Sequence, residues 1–147
     1  MERWLAKADS HPLAKRVAKA ELADCFQLLR FHIGSQVPDI FTVKKAVQEA
    51  SRYYAKLYKM GFPIRWFDVG GGLGVDYDGS RSKSDSSKNY SLQEYANDVV
   101  YHVAEVSNGE GVPHPEIISE SGRAIVAHHS VLVVEAFGRV TKGRTLE

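Results

Sequence analysis

Three consecutive glycines, Gly70, Gly71 and Gly72, close a largely apolar run over residues 64–69 and are followed by Gly74. No other stretch restricts the fold as strongly. A strand that empties into side-chain-free backbone ends in a tight, concave turn whose N–H groups can face inward and cradle an anion. A plain tight turn is the alternative for these residues taken alone.

The rest of the chain supplies the frame for that loop. Residues 13–23 are expected to form a helix with Leu13, Val17, Ala20 and Leu22 on one stripe, and residues 26–32 a short apolar strand ending at Gly34. Helical spacing of Ile40, Val43, Val47, Ala50, Tyr54, Leu57 and Tyr58 predicts a helix from about Asp39 to Met60, stopped by Gly61 and Pro63. Residues 64–69 read as a buried strand and residues 78–89 as an exposed polar loop. Ser91 with Glu94 forms a capping box for a helix over residues 92–106, which Gly109, Gly111 and Pro113 should end. A third strand is expected at 116–119, a helical turn at 124–128 and an extended β-branched segment at 131–140. This alternation of helix and strand is the pattern of parallel βα units, an α/β fold whose sites lie at the strand ends.

Composition narrows the partners. The 147 residues carry 19 basic and 18 acidic side chains, a net charge of +1. That balance gives no field to draw nucleic acid or an anionic membrane. No stretch in residues 1–23 has the length or continuity of a signal peptide or membrane span, so a cytoplasmic protein is expected. Cys25, the single cysteine, reads as a small buried filler.

Nucleotide-binding motifs fail in detail. Counting G-x-G-x-x-G from Gly70 puts Val75 at the third glycine, and from Gly72 puts Tyr77 there; no Gly-Lys-Ser/Thr follows. Asp76 to Asp78 resembles the start of a calcium loop, but its twelfth position is Ser87 rather than glutamate, and the adjacent His128 and His129 cannot form an i, i+4 pair. No metal site is expected.

Two further strand ends carry chemistry. His32 with Ser35 offers an imidazole face and a hydroxyl; a packed rim histidine is the plain alternative. Glu120 and Arg123, with Gly122 letting the backbone bend between them, offer a carboxylate and a guanidinium to opposite ends of one ligand, or to each other as an ion pair.

Taken together, His32-Ile33-Gly34-Ser35-Gln36, Asp68-Val69-Gly70-Gly71-Gly72-Leu73-Gly74 and Glu120-Ser121-Gly122-Arg123 resemble the alanine-racemase-like, barrel-fold decarboxylases that use pyridoxal 5'-phosphate. Within that group, residues 74–82, Asn89-Tyr90-Ser91 with Glu94-Tyr95-Ala96, and 119–124 with Ala127-His128-His129 resemble the arginine decarboxylases. The resemblance implies a partial (β/α)8 barrel of about three βα units from a fold-type III enzyme. Residues 1–23 would be an N-terminal helical segment, 24–130 the partial barrel, and 131–147 a strand leaving toward a separate β domain. It also implies the site: His32 against the pyridine ring, Ser35 with Gly70, Gly71 and Gly72 and Arg123 around the phosphate, Gly122 beside them, and Glu120 at the pyridine nitrogen. The activity implied is decarboxylation of arginine to agmatine for polyamine synthesis by a homo-oligomeric parent. A diaminopimelate or ornithine decarboxylase relative and a non-catalytic cofactor-binding module remain the alternatives. The lysine that such enzymes use to bind the cofactor covalently has no counterpart motif here, so the chain reads as an internal fragment, inactive alone.

Overall fold

A computed structural model describes residues 12–138. Its elements are α1 (Pro12–Lys19), a 3-10 turn (Ala23–Cys25), β1 (Leu28–Arg30), α2 (Ile40–Lys59), β2 (Trp66–Asp68), α3 (Leu92–Glu110), β3 (Glu116–Ile118) and α4 (Gly122–Val126).

The strands form one parallel sheet in the order β1-β2-β3. Leu28, Leu29 and Arg30 pair with Trp66, Phe67 and Asp68, which pair in turn with Glu116, Ile117 and Ile118. Each parallel neighbour requires a crossover, and α2 and α3 supply the two. These helices run side by side in the same direction. Lys44 near the start of α2 meets Asp98 near the start of α3 at 3.1 Å, and Lys59 at the end of α2 meets Glu110 at the end of α3 at 2.5 Å. Val43, Val47, Tyr54 and Leu57 of α2 share one buried cluster with Val99, Val103 and Val106 of α3.

Strand alternation divides the sheet into two faces. Phe67 is fully buried and its ring lies 5.9 Å from that of Tyr54, so the row Leu29, Phe67, Ile117 faces the helices. The opposite face therefore carries Arg30, Asp68 and Ile118. Helix ends follow local chemistry. The Asp39 side chain accepts from the Phe41 amide and Ser91 from the Glu94 amide, each satisfying a first-turn donor.

Several expectations are corrected. The strands are shorter than the apolar runs, three residues each. α1 ends at Lys19 and buries Ala14, while Leu22 is exposed, because the chain turns at Ala20-Glu21 and Glu21 takes a left-handed φ of 58°. α3 passes through Gly109 and stops only at Gly111, which adopts the left-handed C-cap at φ 66°. Cys25 is exposed rather than a filler. It lies in the 3-10 turn, where its neighbour Phe26 is the residue that packs, edge-on to Phe62 at 5.4 Å. Ser87 is fully buried within the polar loop expected to be exposed, and Ser82, Lys88 and Asn89 are half-buried. Residues 131–138 are exposed and join no sheet; the remainder of the expected 131–140 segment and residues 1–11 lie outside the described residues. Among the described residues, no helix is long and apolar enough to cross a membrane.

Candidate active site

Beyond the strands the parallel ladder continues into the loops. Phe31 N–H donates to Asp68 C=O (3.1 Å), Val69 to Ile118 (2.9 Å) and Glu120 to Gly70 (2.9 Å), so the three strand tips advance together. They enclose a cavity of about 130 Å³ lined by residues that include His32, Ser35, Gly71, Gly72, Glu120 and Arg123. Six of the residues expected at the site thus share one concavity. Gly70 and Gly122 lie outside its lining.

Gly70 shows why the sequence requires glycine. Its φ is +68°, and a Cβ there would sit 2.2 Å from the Phe31 carbonyl oxygen, so the loop can cross the β1 tip only without a side chain. Gly72, at φ +113°, is restricted chiefly by its backbone conformation, with the Gly34 carbonyl 3.0 Å from a Cβ position.

The expected nest of three inward amides is not what forms. Gly70 N–H donates to Asp68 Oδ1 at 2.8 Å and Gly71 N–H to His32 Nδ1 at 3.2 Å. The second bond makes Nδ1 an acceptor, which places the ring hydrogen of a neutral His32 on Nε2. It also fixes the ring plane beside the loop, with the Gly71 Cβ position only 3.3 Å from Cε1. A side chain at Gly71 would therefore press on the imidazole.

Glu120 and Arg123 do not pair with each other, so the plain ion-pair alternative does not form. Arg30 engages both oxygens of Glu120, Nε to Oε1 at 3.3 Å and Nη2 to Oε2 in a close ion pair. This contact holds the Glu120 carboxyl below its usual range and raises the Arg30 guanidinium; in each case the mutual hydrogen bond is the largest cause. Arg123 instead points its Nη1 toward the Tyr77 hydroxyl, 3.5 Å away, which leaves the guanidinium open to the cavity.

Three residues hold the site without a role assigned from sequence: Gln36 and Tyr90 belong to the family motifs, and Arg30 to none. Arg30 lies inside a run read as apolar, yet it stands two residues before His32, a spacing that puts both on one strand face. Gln36 clamps the backbone of Val75, accepting from its N–H at 2.9 Å and donating to its carbonyl at 2.6 Å. Tyr90 donates its hydroxyl hydrogen to the Val37 carbonyl at 2.8 Å and accepts from Gly74 N–H at 2.9 Å, tying the glycine loop to the loop after β1.

A cofactor with a planar ring and a phosphate suits this donor set. The open guanidinium of Arg123, the Ser35 hydroxyl and the side-chain-free Gly71-Gly72 edge address an anion, while the oriented imidazole of His32 and the carboxylate of Glu120 address a ring.

Comparison with known proteins agrees with that class. Residues 8–127 match the family described as pyridoxal-dependent decarboxylase, pyridoxal binding domain, and the chain belongs to it. It is 59% identical over 128 residues to the biosynthetic arginine decarboxylase of Rhodopirellula baltica, which covers 87% of this chain and 19% of that protein. The corresponding protein of Bacteroides thetaiotaomicron is 54% identical over 121 residues, 82% of this chain and 19% of its own length. Among solved structures, the biosynthetic arginine decarboxylase of Campylobacter jejuni superposes with a TM-score of 0.67 and 39% identity over 74% of this chain and 18% of that one. Diaminopimelate decarboxylase of Helicobacter pylori, complexed with L-lysine, gives 0.52 and 29% over 67% and 22%. The chain thus spans about a fifth of the length of the curated relatives it matches.

Proposed function

We propose that this chain is part of the cofactor-binding barrel of an arginine decarboxylase, a cytoplasmic lyase that makes agmatine for polyamine synthesis. The observation that carries the reading is the convergence of three successive strand tips on one cavity holding His32, Ser35, Gly71, Gly72, Glu120 and Arg123. Singly wound strand order, with both crossover helices packed on each other, fits three βα units of a (β/α)8 barrel. In this reading residues 24–130 belong to the barrel, α1 precedes it, and the exposed segment 131–138 leads toward a separate β domain. The complete enzyme is a homo-oligomer.

Pyridoxal phosphate, when bound, accepts the electron pair that the substrate's α-carbon releases as carbon dioxide leaves. The residues of this chain bind and orient it. Arg123 and Ser35 hold the phosphate, with Gly70, Gly71 and Gly72 providing the side-chain-free approach and Gly122 the bend that brings Arg123 round. His32 lies against the ring face, held by the Gly71 amide. Glu120 keeps a proton at the ring nitrogen, which a carboxylate held as an anion does by charge and hydrogen bond. The lysine that bonds the cofactor comes from outside this chain.

Arginine as substrate is supported by the names of the curated relatives, 54% and 59% identical, and among solved structures by 39% for the arginine enzyme against 29% for the diaminopimelate enzyme. The test is carbon dioxide release by a full-length decarboxylase carrying this segment, offered arginine, meso-diaminopimelate and ornithine separately. Arginine is expected to be turned over alone; turnover of either rival in its place rejects the reading. The 147-residue chain by itself is expected to release none.

A further inference from the structure

The sheet face turned away from the helices carries a charged row that phosphate and ring contacts leave unexplained. Arg30 and Asp68 are register partners on β1 and β2, and Glu120 follows two residues after Ile118, the partner of Asp68 on β3. Arg30 lays its planar fork across both oxygens of Glu120. Behind it, Arg30 Nε lies 3.5 Å from Oδ2 of the buried Asp68, whose other oxygen is held by the Gly70 amide at 2.8 Å. The guanidinium is therefore fixed from two sides, and one of those sides is anchored by the glycine loop itself.

We propose that Arg30 is a positioning residue for the cofactor: it clamps Glu120 as an oriented anion and sets how tightly that carboxylate retains a proton at the ring nitrogen. This rests on the reading of Glu120 as the partner of that nitrogen. An ionised carboxylate has about four lone-pair sites. The fork of Arg30 takes two, and the others remain for an N–H donor in the cavity that Glu120 lines. The charged and titratable groups around Glu120 are Arg30 from β1, His32 from the loop after it, Asp68 from β2 and Arg123 from α4. Arg30 makes the closest of these contacts. Its positive charge at the outer edge of the carboxylate opposes retention of a second positive charge at the inner edge. Asp68 partly offsets that field, so removing Arg30 and removing the charge of Asp68 should act in opposite directions. A residue that only braced the fold would not show that reversal.

The experiment uses a full-length decarboxylase carrying this segment, loaded with pyridoxal phosphate labelled with nitrogen-15 in the ring, whose chemical shift reports protonation against pH. Arg30→Met should raise the pH midpoint of ring-nitrogen deprotonation by about one unit. Asp68→Asn, which keeps the acceptor for Gly70 N–H, should lower it by about half a unit. Arg30→Lys, which keeps the charge but not the fork, should stay near the wild-type midpoint. Midpoints unmoved in Arg30→Met and Asp68→Asn, or moved in the same direction, overturn the proposal. Where Arg30→Met does not fold, the sign of the Asp68→Asn shift decides. Glu120→Gln separates the two layers: loss of the protonated signal supports the Glu120 reading, and an unchanged signal overturns that reading and the role of Arg30 with it.

Discussion

The two halves of the cavity are built to different standards. On the glycine-loop side, Val75 and Tyr90 are buried at 4% and 6% exposure, and Gln36, Tyr90, Asp76 and Ser87 bind the loop backbone or one another. On the side beyond β3, Ile125 is 82% exposed and Phe137 93%, and Glu120 is held mainly through Arg30 and one backbone bond to Gly70. This chain fixes the glycine-loop side with its own interior and fixes the carboxylate side by charge. Burial sets the shape of the first side, and the ion pair sets the charge state of the second.

The largest expected break in that comparison is Gly70→Ala. A methyl group 2.2 Å from the Phe31 carbonyl, on a residue at φ +68°, forces the loop off the β1 tip and should cost about 3 kcal/mol in urea unfolding. Tyr90→Phe comes next. It leaves the Gly74 N–H and the Val37 carbonyl without the hydroxyl that joins them, for about 2 kcal/mol, and should weaken cofactor affinity in the same preparation.

Acid should act on the loop through Asp39, whose carboxyl is held below its usual range chiefly by Lys83 of the polar loop, with the Phe41 amide and Asn89 adding and burial opposing. A depressed folded-state value contributes stability above the ordinary value near 3.9 and loses it as pH falls through the folded value. The melting temperature should therefore decline below about pH 4, and less steeply in Asp39→Asn. The smallest effect is expected on the open side, where Ile125→Ser should change stability by no more than about 0.5 kcal/mol. A larger loss measured in the isolated chain would show that this face is already packed.

How far the sequence revealed the site follows from what each residue depends on. His32, Gly72, Glu120 and Arg123 were legible because each lies just past an apolar run, and chain order alone carries strand ends to one edge of a parallel sheet. The α2 and α3 helices were legible from their apolar spacing and caps. Arg30 was not, because an arginine within Leu28-Leu29-Arg30-Phe31 reads as an interruption until the register with Asp68 is known. The amide partners of Gly70 and Gly71 depend on side chains two and thirty-nine positions away, and no local pattern encodes the second. Cys25 and Gly109 misled for a common reason: both were judged by residue type, whereas a turn in one case and helix packing through Val106 and Ser107 in the other decided their setting.

The polar segment after the glycine loop is closed at its neck. The Tyr77 and Asp78 amides both donate to the Ser86 carbonyl, at 2.8 and 3.3 Å, and the Ser87 hydroxyl donates to Asp76 at 2.6 Å. The chain between makes a bight, tied inward where the Ser82 amide donates to the Ser87 hydroxyl and Lys83 pairs with Asp39, each at 3.0 Å. Each doubling of such a bight adds only about 0.6 kcal/mol of closure entropy. Gly79, where a Cβ would meet no atom within 4 Å, is thus the natural port for a grafted tag or a fluorophore, since it leaves the ties at Ser82 and Lys83 in place.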